Sequence, residues 1–210
     1  MKRVAIAAYG AGNVRSVELA FRRLGAETEL VHEPEPLLAA DLAVLPGVGS
    51  AASAMAGLRE RGLDSALRER ATAGRPILGI CLGLQLALDE TEEDGGVVGL
   101  GLVPGRAVRL HAGRVPRIGW ARVEPLKAPD PGRTPALRDT LDTVPDPGLA
   151  PAAEAFWFAH SYAAETPATT ATSEGVAAVA EAGPFLGVQF HPEKSGAAGG
   201  RFLERCLSRV

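Results

Sequence analysis

The sequence predicts an α/β fold with an open, mostly parallel central sheet flanked by helices and with additional antiparallel strands in the C-terminal half. Over the first 88 residues, short apolar runs alternate with segments whose apolar residues recur at helical spacing, which is typical of parallel strands joined by helical crossovers. Further along, short strand-like pieces are broken by Gly and Pro. At 210 residues, 46% of them hydrophobic, the chain is long enough for one domain with a single core, residues 1–210.

The first half contains four predicted strands and four predicted helices. The strands are predicted at residues 3–8, 28–31, 41–45 and 77–80. The helices cover about 14–24, 51–58, 63–73 and 82–88, and Gly25 is a candidate C-cap of the first helix. In a sheet of this kind, sites form at the carboxyl ends of the strands. The turns at 10–13 and 46–49 and the residue Cys81 all follow predicted strands, so we expect them to meet in one crevice.

The second half contains shorter strand-like pieces between residues 103 and 123, three further predicted strands and a terminal helix. The strands lie at 156–162, 176–180 and 187–190, and the helix at 197–207. Between residues 125 and 153 the sequence is rich in Pro, Ala and Asp. This composition predicts a long surface loop, with one weak helical turn near 136–141.

The composition excludes several function classes. The formal net charge is −3, so no broad attraction to nucleic acid or to an anionic membrane is expected. No apolar run approaches the roughly 18 residues of a membrane span, and the first apolar run ends at Tyr9-Gly10, which is short for a signal sequence. The two cysteines are Cys81 and Cys206. Because Cys81 is expected to remain a free thiol, the sequence favours the reducing cytoplasm.

Gly79-Ile80-Cys81-Leu82-Gly83 directly follows a predicted strand and has the pattern of a cysteine nucleophile elbow. In such a turn a strand passes sharply into a helix, and glycines leave room beside the nucleophile. The turn lifts the sulfur out of the sheet, where the start of the following helix favours a thiolate. A lone free cysteine is more often a small buried hydrophobe, but this position favours a nucleophile.

His191 and Glu193 supply the other two groups that covalent acyl transfer needs. Both follow the predicted strand 187–190, and Glu193 is placed to orient the imidazole and stabilise its cation. We expect His191 to take the proton from Cys81, after which the thiolate attacks a carbonyl. His160 is interpreted instead as a structural or pocket-lining group.

Backbone amides are expected to bind the oxyanion that forms during the attack. One donor would be the amide of Leu82, the residue after the nucleophile. The other would come from Gly47-Val48-Gly49, whose glycines permit peptide geometries that expose N–H groups. Pro-Gly-x-Gly alone is most often a turn that ends a strand.

These residues resemble a known family. Gly79-Ile80-Cys81-Leu82-Gly83-Leu84-Gln85 together with His191-Pro192-Glu193 closely resembles the class I (triad) glutamine amidotransferases. Other segments are similar to the glutaminase subunit of imidazole glycerol phosphate synthase. They are Tyr9-Gly10-Ala11-Gly12-Asn13-Val14-Arg15-Ser16, Pro46-Gly47-Val48-Gly49, Val115-Pro116-Arg117-Ile118-Gly119-Trp120, His160-Ser161-Tyr162 and Gln189-Phe190-His191-Pro192-Glu193-Lys194-Ser195.

The resemblance implies hydrolysis of L-glutamine to glutamate and ammonia through a γ-glutamyl thioester on Cys81. Ammonia then passes to a separate cyclase subunit, a (β/α)₈ barrel, which makes imidazole glycerol phosphate and an aminoimidazole carboxamide ribotide in histidine biosynthesis. By position, Gln85 and the backbone around Ser161 and Tyr162 hold the amino-acid end of glutamine. Gly47, Val48, Gly49 and Leu82 form the oxyanion site. No metal and no organic cofactor is expected.

The chain departs from the family pattern at three positions near the expected cyclase-facing surface. The family usually has His where this chain has Arg117, Asn where it has Ala121 and Tyr where it has Trp157. Ala121 cannot form a hydrogen bond through its side chain, so we expect one polar contact between subunits to be missing. The residues expected at the partner interface and the ammonia path are Asn13, Arg117, Trp120, Trp157 and Lys194.

Three alternatives remain open from the sequence. The same chemistry serves other synthases, those that make anthranilate, aminodeoxychorismate, guanylate or pyridoxal phosphate, although Gly12-Asn13 and Ile118-Gly119-Trp120 argue against them. A non-catalytic regulatory module of the same fold conflicts with the intact triad. A cysteine peptidase on a related fold would not need Gln85 or His160-Ser161-Tyr162. The favoured interpretation is a glutaminase whose activity the cyclase switches on.

Overall fold

A computed structural model describes residues 1–10, 14–111, 115–126 and 154–210. Asn13, and the predicted loop 125–153 beyond Leu126, lie outside these residues. The strands are β1 (Arg3–Ala7), β2 (Glu27–Val31), β3 (Leu42–Leu45), β4 (Ile77–Ile80), β5 (Glu90–Thr91), β6 (Val97–Val98), β7 (Arg106–Arg109), β8 (Arg117–Arg122), β9 (Glu124–Pro125), β10 (Ala155–His160), β11 (Tyr162–Glu165), β12 (Thr169–Ser173), β13 (Val176–Ala182) and β14 (Phe185–Val188). The α-helices are α1 (Val14–Arg23), α2 (Pro34–Ala39), α3 (Ala51–Glu60), α4 (Leu63–Thr72), α5 (Leu82–Ala87) and α6 (Gly196–Ser208), and 3₁₀ helices cover Glu93–Gly95 and Pro192–Lys194. None of the described helices is long and apolar enough to cross a membrane.

The central sheet has the strand order β2-β1-β3-β4-β14-β13-β12-β9. The strands from β2 to β14 in this order are parallel, and β13, β12 and β9 extend the sheet in antiparallel fashion. The predicted fold class is therefore confirmed. β14 lies directly beside β4, with Ile80 opposite Val188. The residues that follow these two strands consequently begin side by side at one edge of the sheet.

Helices cover both faces of the parallel part of the sheet. Successive residues of β1 enter two different buried clusters: Ala5 and Ala7 lie with α2, α3, α4 and α5, whereas Val4 and Ile6 lie with α1 and α6. Because both of their faces are buried, β1, β3 and β4 are nearly continuous apolar runs, whereas the edge strand β2 is partly exposed and alternates. This burial explains why the apolar runs of the first half predicted strands correctly.

Strands β8 and β10 form a two-stranded ribbon at the side of the molecule. Its inner face carries Phe156 and Phe158, which are fully buried and pack against Phe190. Its outer face, which we define by Ile118, Trp120 and Trp157, is apolar and largely uncovered. Ile118 is 62% exposed and Trp120 56% exposed, and Trp157 contacts Trp120 edge-on with ring centroids 6.0 Å apart.

The predicted strand 156–162 was wrong in one respect, because two strands occupy this range. β10 ends at His160 and pairs with β8, whereas β11 begins at Tyr162 and pairs with β7 in a separate sheet of order β11-β7-β5-β6. Ser161 lies at the crossing point, where its carbonyl accepts a hydrogen bond from the amide of Leu110 (2.9 Å). No Gly or Pro occurs at the break, Ala159-His160-Ser161-Tyr162, so the sequence does not signal the change of partner strand.

Candidate active site

Cys81 occupies a strained turn between β4 and α5. Its backbone has φ +52° and ψ −107°, in the left-handed half of conformational space that a residue with a side chain rarely adopts; such strain costs about 1–3 kcal/mol. The turn is anchored to the neighbouring strand, since the Cys81 amide donates to the carbonyl of Val188 (2.7 Å). The predicted nucleophile elbow is thus the observed backbone geometry at this position.

The glycines flanking Cys81 are required by close approach of the backbone. A Cβ atom on Gly83 would lie 1.9 Å from the carbonyl oxygen of Leu45, and one on Gly79 would lie 2.5 Å from Cζ of Phe185. Both distances are shorter than any van der Waals contact between these atoms. The first turn of α5 can therefore lie against β3 only because Gly83 carries no side chain, and the ring of Phe185 occupies the space beside Gly79.

Replacing Gly83 by alanine should destabilise the protein by about 3 kcal/mol, because the new methyl group meets a backbone carbonyl that cannot move without displacing β3. Thermal unfolding measures this, with an expected fall of about 6–12 °C in the midpoint. Gly200 provides the matched control, since it lies within α6 and an added Cβ meets no atom within 4 Å. Gly200→Ala should raise stability by up to about 1 kcal/mol. Equal midpoints for the two variants would contradict the close-approach argument.

His191 and Glu193 form a buried pair beside the elbow. Nδ1 of His191 donates to Oε1 of Glu193 (2.9 Å), and their side chains are only 2% and 3% exposed. The backbone of this segment is also fixed, because the His191 amide donates to the carbonyl of Trp157 (2.8 Å) and Ser195 Oγ donates to the carbonyl of His191 (2.6 Å). The ring is therefore held with its Nε2 edge free for the sulfur.

The charge neighbours of His191 favour its protonated form. Burial lowers the pKa of His191, but the interactions with Cys81 and with the Glu193 carboxylate outweigh it and raise the pKa from 6.5 to about 9. Nε2 is buried and makes no well-formed hydrogen bond within the described part of the chain, as is common for catalytic groups before substrate binds. The geometry therefore brings all three predicted triad residues together, with His191 able to hold the proton of Cys81.

The sulfur of Cys81 has two polar neighbours besides the imidazole. Its thiol is 3.8 Å from the carbonyl oxygen of Ala159, which can accept the S–H proton, and Nε2 of Gln189 lies 3.5 Å from Sγ. Gln189 is completely buried. Gln189 belongs to the family-like segment 189–195, but the sequence interpretation assigned it no role of its own.

A cavity of about 270 Å³ opens beside Cys81. Its walls include six of the predicted glutamine-binding or oxyanion residues, which are Val48, Gly49, Leu82, Gln85, Ser161 and Tyr162. Gln85 is 4% exposed and its amide nitrogen donates to the carbonyl of Tyr162 (2.8 Å). Site residues predicted from three separate stretches of sequence, 47–49, 79–85 and 160–162, thus line one cavity next to the nucleophile.

Residues 6–209 match the family model for glutamine amidotransferase class-I. The chain belongs to this family. Among curated relatives, the imidazole glycerol phosphate synthase subunit HisH of Symbiobacterium thermophilum is 43% identical over 97% of this chain and 92% of its own length. The protein of the same name from Moorella thermoacetica is also 43% identical, over 95% of this chain and 91% of its own length.

Solved structures agree with this amidotransferase in fold. A crystal structure of a glutamine amidotransferase superposes with a TM-score of 0.72 at 20% identity and covers 99% of both chains. The structure of PurLQS from Thermotoga maritima gives a TM-score of 0.71 at 17% identity, with 100% of this chain and 99% of that chain covered. At such identities the likeness establishes the fold alone.

The cavity of the amidotransferase has one acidic wall residue that the sequence interpretation missed. Glu93 lies in the 3₁₀ helix Glu93–Gly95 and lines the cavity. Its Oε2 accepts from the amide of Ala51 at the start of α3 (3.1 Å). Burial, with a contribution from Asp94, raises the pKa of Glu93 against the opposing effect of this hydrogen bond. Glu93 has no flanking motif, so only the fold reveals its position.

The segment from Pro46 to Gly49 lies against the start of α5. A Cβ atom on Gly47 would be 2.7 Å from Cβ of Leu82, so these two predicted oxyanion residues are in direct contact. Tyr9, a further residue that the sequence interpretation missed, donates its hydroxyl to the carbonyl of Pro46. Burial, together with the nearby Cys81, raises the pKa of Tyr9 above its ordinary value, so the phenol remains a donor. Amide donation by Val48 or Leu82 to an oxyanion stays a prediction.

His160 lines the cavity as predicted, and it is neutral. Burial lowers its pKa to about 4, with Arg117 and His191 adding to the effect against the hydrogen bond to the Tyr162 carbonyl. That hydrogen bond joins Nδ1 to the carbonyl oxygen at 2.8 Å. A neutral imidazole held in this way is a pocket wall rather than a competitor of His191 for the proton. No group of three or more His, Cys, Asp or Glu side chains within the described ranges is arranged to hold a metal ion.

The predicted interface residues are found in three different settings. Trp120 and Trp157 lie on the outer face of the ribbon, and Lys194 is exposed beside the triad. The side chain of Arg117 is instead only 16% exposed, 4.4 Å above the ring of Phe158, and bound to Ser173 Oγ (2.8 Å) and Glu174 (3.1 Å). Ala121 lies opposite Phe156 on the inner face. A role of any of them in partner binding stays a prediction, as does that of Asn13.

Proposed function

We propose that this chain is the glutaminase subunit of a cytoplasmic imidazole glycerol phosphate synthase. It hydrolyses L-glutamine and passes the ammonia to a separate cyclase subunit, a (β/α)₈ barrel, in histidine biosynthesis. The observation that carries the proposal is the buried triad of Cys81, His191 and Glu193 beside a cavity walled by Gln85. The two relatives named above, each 43% identical over nearly the full chain, support the choice of pathway.

The proposed reaction begins with transfer of the Cys81 proton to Nε2 of His191. The sulfur attacks the carboxamide carbon of glutamine, and the resulting oxyanion is bound by backbone amides of Val48 and Leu82. When the C–N bond breaks, the proton on His191 goes to the departing nitrogen, which leaves as ammonia. Water then attacks the γ-glutamyl thioester, again with His191 as base, and releases glutamate and the free thiol.

The cavity polarity supports an amino acid as substrate. The side-chain amide nitrogen of Gln85 donates both of its hydrogens within the protein, to the carbonyl of Tyr162 (2.8 Å) and to Oε1 of Gln189 (3.0 Å). Its own Oε1 is thus left to accept from a substrate N–H group. The Glu93 carboxylate at the wall adds a negative group for an α-ammonium, while Ser161 and Tyr162 contribute the backbone edge where β10 passes into β11.

The outer face of the ribbon supports a partner that docks over the cavity. Ile118 both lines the cavity and is exposed, so the apolar surface continues from the cavity mouth to Trp120. Trp157 links this surface to the triad, because its carbonyl accepts the His191 amide and its amide donates to Ser195 Oγ (3.0 Å). A partner that moves Trp157 therefore acts on the segment that carries His191. This link supports a glutaminase that the cyclase activates.

The proposal is tested by glutamate release from glutamine, measured with this chain alone, with its cognate cyclase, and with the cyclase and its nucleotide ligand. We expect release to rise when cyclase and ligand are added. Ammonia incorporation by the cyclase should follow at the same rate. If the chain instead co-purifies with a different synthase and is activated by it, the pathway assignment is wrong while the chemistry stands.

Replacing Trp120 by alanine should weaken the complex with the cyclase by about 2 kcal/mol or more, since exposed aromatic side chains at interfaces carry much of the binding energy. Titration calorimetry should show a dissociation constant raised about thirtyfold. Val98→Ala is the matched control, because Val98 is 68% exposed but lies in β6, in a different sheet. An unchanged dissociation constant for Trp120→Ala would show that the outer face is not part of the interface with the cyclase.

A further inference from the structure

Gln189 joins the glutamine cavity to the nucleophile. It follows β14 directly, is completely buried, and has its backbone fixed by a hydrogen bond from its amide to the carbonyl of Ala178 (2.9 Å). Its side-chain Oε1 accepts from Gln85 Nε2 (3.0 Å), and its Nε2 lies 3.5 Å from Cys81 Sγ. A continuous path of side-chain contacts therefore leads from the cavity wall to the sulfur without passing through His191.

The direction of these hydrogen bonds follows from the groups at the ends of the path. The Tyr162 carbonyl can only accept, so Gln85 must turn its amide nitrogen toward it (2.8 Å). The second hydrogen of that nitrogen then points to Gln189, which must present its oxygen to Gln85. As a consequence, the amide nitrogen of Gln189 faces the sulfur. Reversing either amide would oppose two donors or two acceptors.

The sulfur thus meets different partners in its two protonation states. As a thiol, Cys81 donates to the carbonyl of Ala159 at 3.8 Å. As a thiolate it has no proton for that carbonyl, and it accepts from Gln189 and from protonated His191. A donor to an ionised group forms a stronger hydrogen bond than a donor to a neutral one. Gln189 therefore favours the attacking form of the nucleophile over its resting form.

We propose that Gln189 is a catalytic hydrogen-bond donor to the Cys81 thiolate and that Gln85 orients it, so that the glutamine cavity and the nucleophile share one hydrogen-bonded path. This role rests on the proposed function of Cys81 as nucleophile. The alternative role is a buried amide that merely satisfies Gln85. The two roles differ in whether loss of the donor changes the pH dependence of Cys81 reactivity.

The test is the rate of alkylation of Cys81 by iodoacetamide in the full-length chain between pH 5 and 10, read by peptide mass spectrometry. Gln189→Met keeps the size of the side chain and removes the donor. We expect alkylation at pH 7 to fall about tenfold and the half-maximal pH to rise by about one unit. Gln189→Glu should move both at least as far, because a carboxylate opposes negative sulfur.

Cys206 is an internal control for folding in the same experiment. It is buried, and burial raises its pKa to about 12, so it is alkylated only when the chain opens. If Gln189→Met leaves Cys206 protected and reproduces the parent profile of Cys81, the proposed donor role is overturned. If Cys81 of the parent reacts no faster than Cys206, Cys81 is not an activated nucleophile. The proposed glutaminase function and the donor role of Gln189 are then both contradicted.

A second measurement needs no variant of Gln189. It tests the donor role of Gln189 even if the Gln189 variants do not fold. The side-chain amide resonances of Gln189 are followed by ¹H–¹⁵N NMR as the parent protein is titrated. One amide proton should shift with the same midpoint as Cys81 alkylation, and the shift should vanish in Cys81→Ala. A resonance that is independent of pH in the parent would overturn the proposal.

Discussion

Replacing Cys81 by alanine should lower glutamate release in the presence of the cyclase and its ligand by about 10⁴-fold or more, the size of effect seen when a covalent nucleophile is removed. The reason is geometric. Cys81 is the residue that the strained turn between β4 and α5 projects into the cavity, and it lies beside the buried His191–Glu193 pair. A steady-state assay of glutamate formation, with enzyme-coupled detection, measures the loss.

Cys206→Ala is the matched control for this substitution. Cys206 is the second cysteine of the chain, is 5% exposed in α6, and belongs to the apolar cluster on the α1 and α6 side of the sheet. Its replacement removes a thiol that does not line the cavity and should leave the rate within about twofold, as expected for a residue without contact to the reacting atoms. A thiol-reactive glutamine analogue should add mass to Cys81 in the control and not in Cys81→Ala. Full activity of Cys81→Ala would exclude the thioester mechanism.

The parallel part of the fold was predictable because its strands are buried on both sides. β1, β3 and β4 are nearly continuous apolar runs that end at turns containing glycine or at the elbow, and their shortness and flanking turns indicate buried strands rather than helices. The elbow was predictable for a similar reason. Gly79 and Gly83 are forced by contacts with the neighbouring backbone and ring, so the local sequence records the tertiary constraint.

Helix α2 was missed because tertiary hydrogen bonds hold it rather than its own sequence. It has six residues and two prolines, and at its end one backbone amide, that of the C-cap residue Ala40, donates to a helix carbonyl, that of Pro36. Arg70 of α4 is fully buried there, and its guanidinium donates to the carbonyls of Leu37 (2.8 Å) and Ala40 (2.9 Å). A buried arginine that binds carbonyls of a distant segment leaves no sign in that segment's periodicity.

The residues of the candidate site could be predicted where they belong to a sequence motif. They could not be predicted where only the fold places them near Cys81. Cys81 and His191 each follow a strand, and the adjacency of β4 and β14 joins them. Glu93 lines the cavity from a short 3₁₀ helix and has ordinary neighbours in sequence, whereas Gln189 contacts Cys81 from the residue after β14. For Arg117 the motif predicted a place near the partner-facing surface, and the fold adds that its cationic side chain lies against Phe158 and Glu174; its role in partner binding stays a prediction.

Glu193→Gln should lower glutaminase activity by about 10²- to 10⁴-fold and shift its pH dependence toward acid. In the parent, Cys81 and Glu193 raise the pKa of His191 to about 9, so the proton needed by the departing ammonia is held throughout the neutral range. Activity should fall as pH rises through about 9. With glutamine at position 193 the carboxylate charge is gone and the pKa of His191 falls, so the alkaline limb of the kcat/KM profile should move to lower pH.

The same substitution has a linked effect on stability whose sign follows from the direction of the shift. The pKa of His191 is higher in the folded protein than the ordinary value of 6.5, so protonation of His191 stabilises the fold fully below that value, and the contribution is lost as pH rises through about 9. Glu193→Gln should therefore flatten the fall in unfolding free energy between these pH values. Glu165→Gln is the matched control, because that carboxylate is 59% exposed and pairs with Arg106 at the surface.

The activity profile gives the contradicting outcome for both effects. If the alkaline limb of the kcat/KM profile of Glu193→Gln stays at the parent position, the Glu193 carboxylate does not set the protonation of His191.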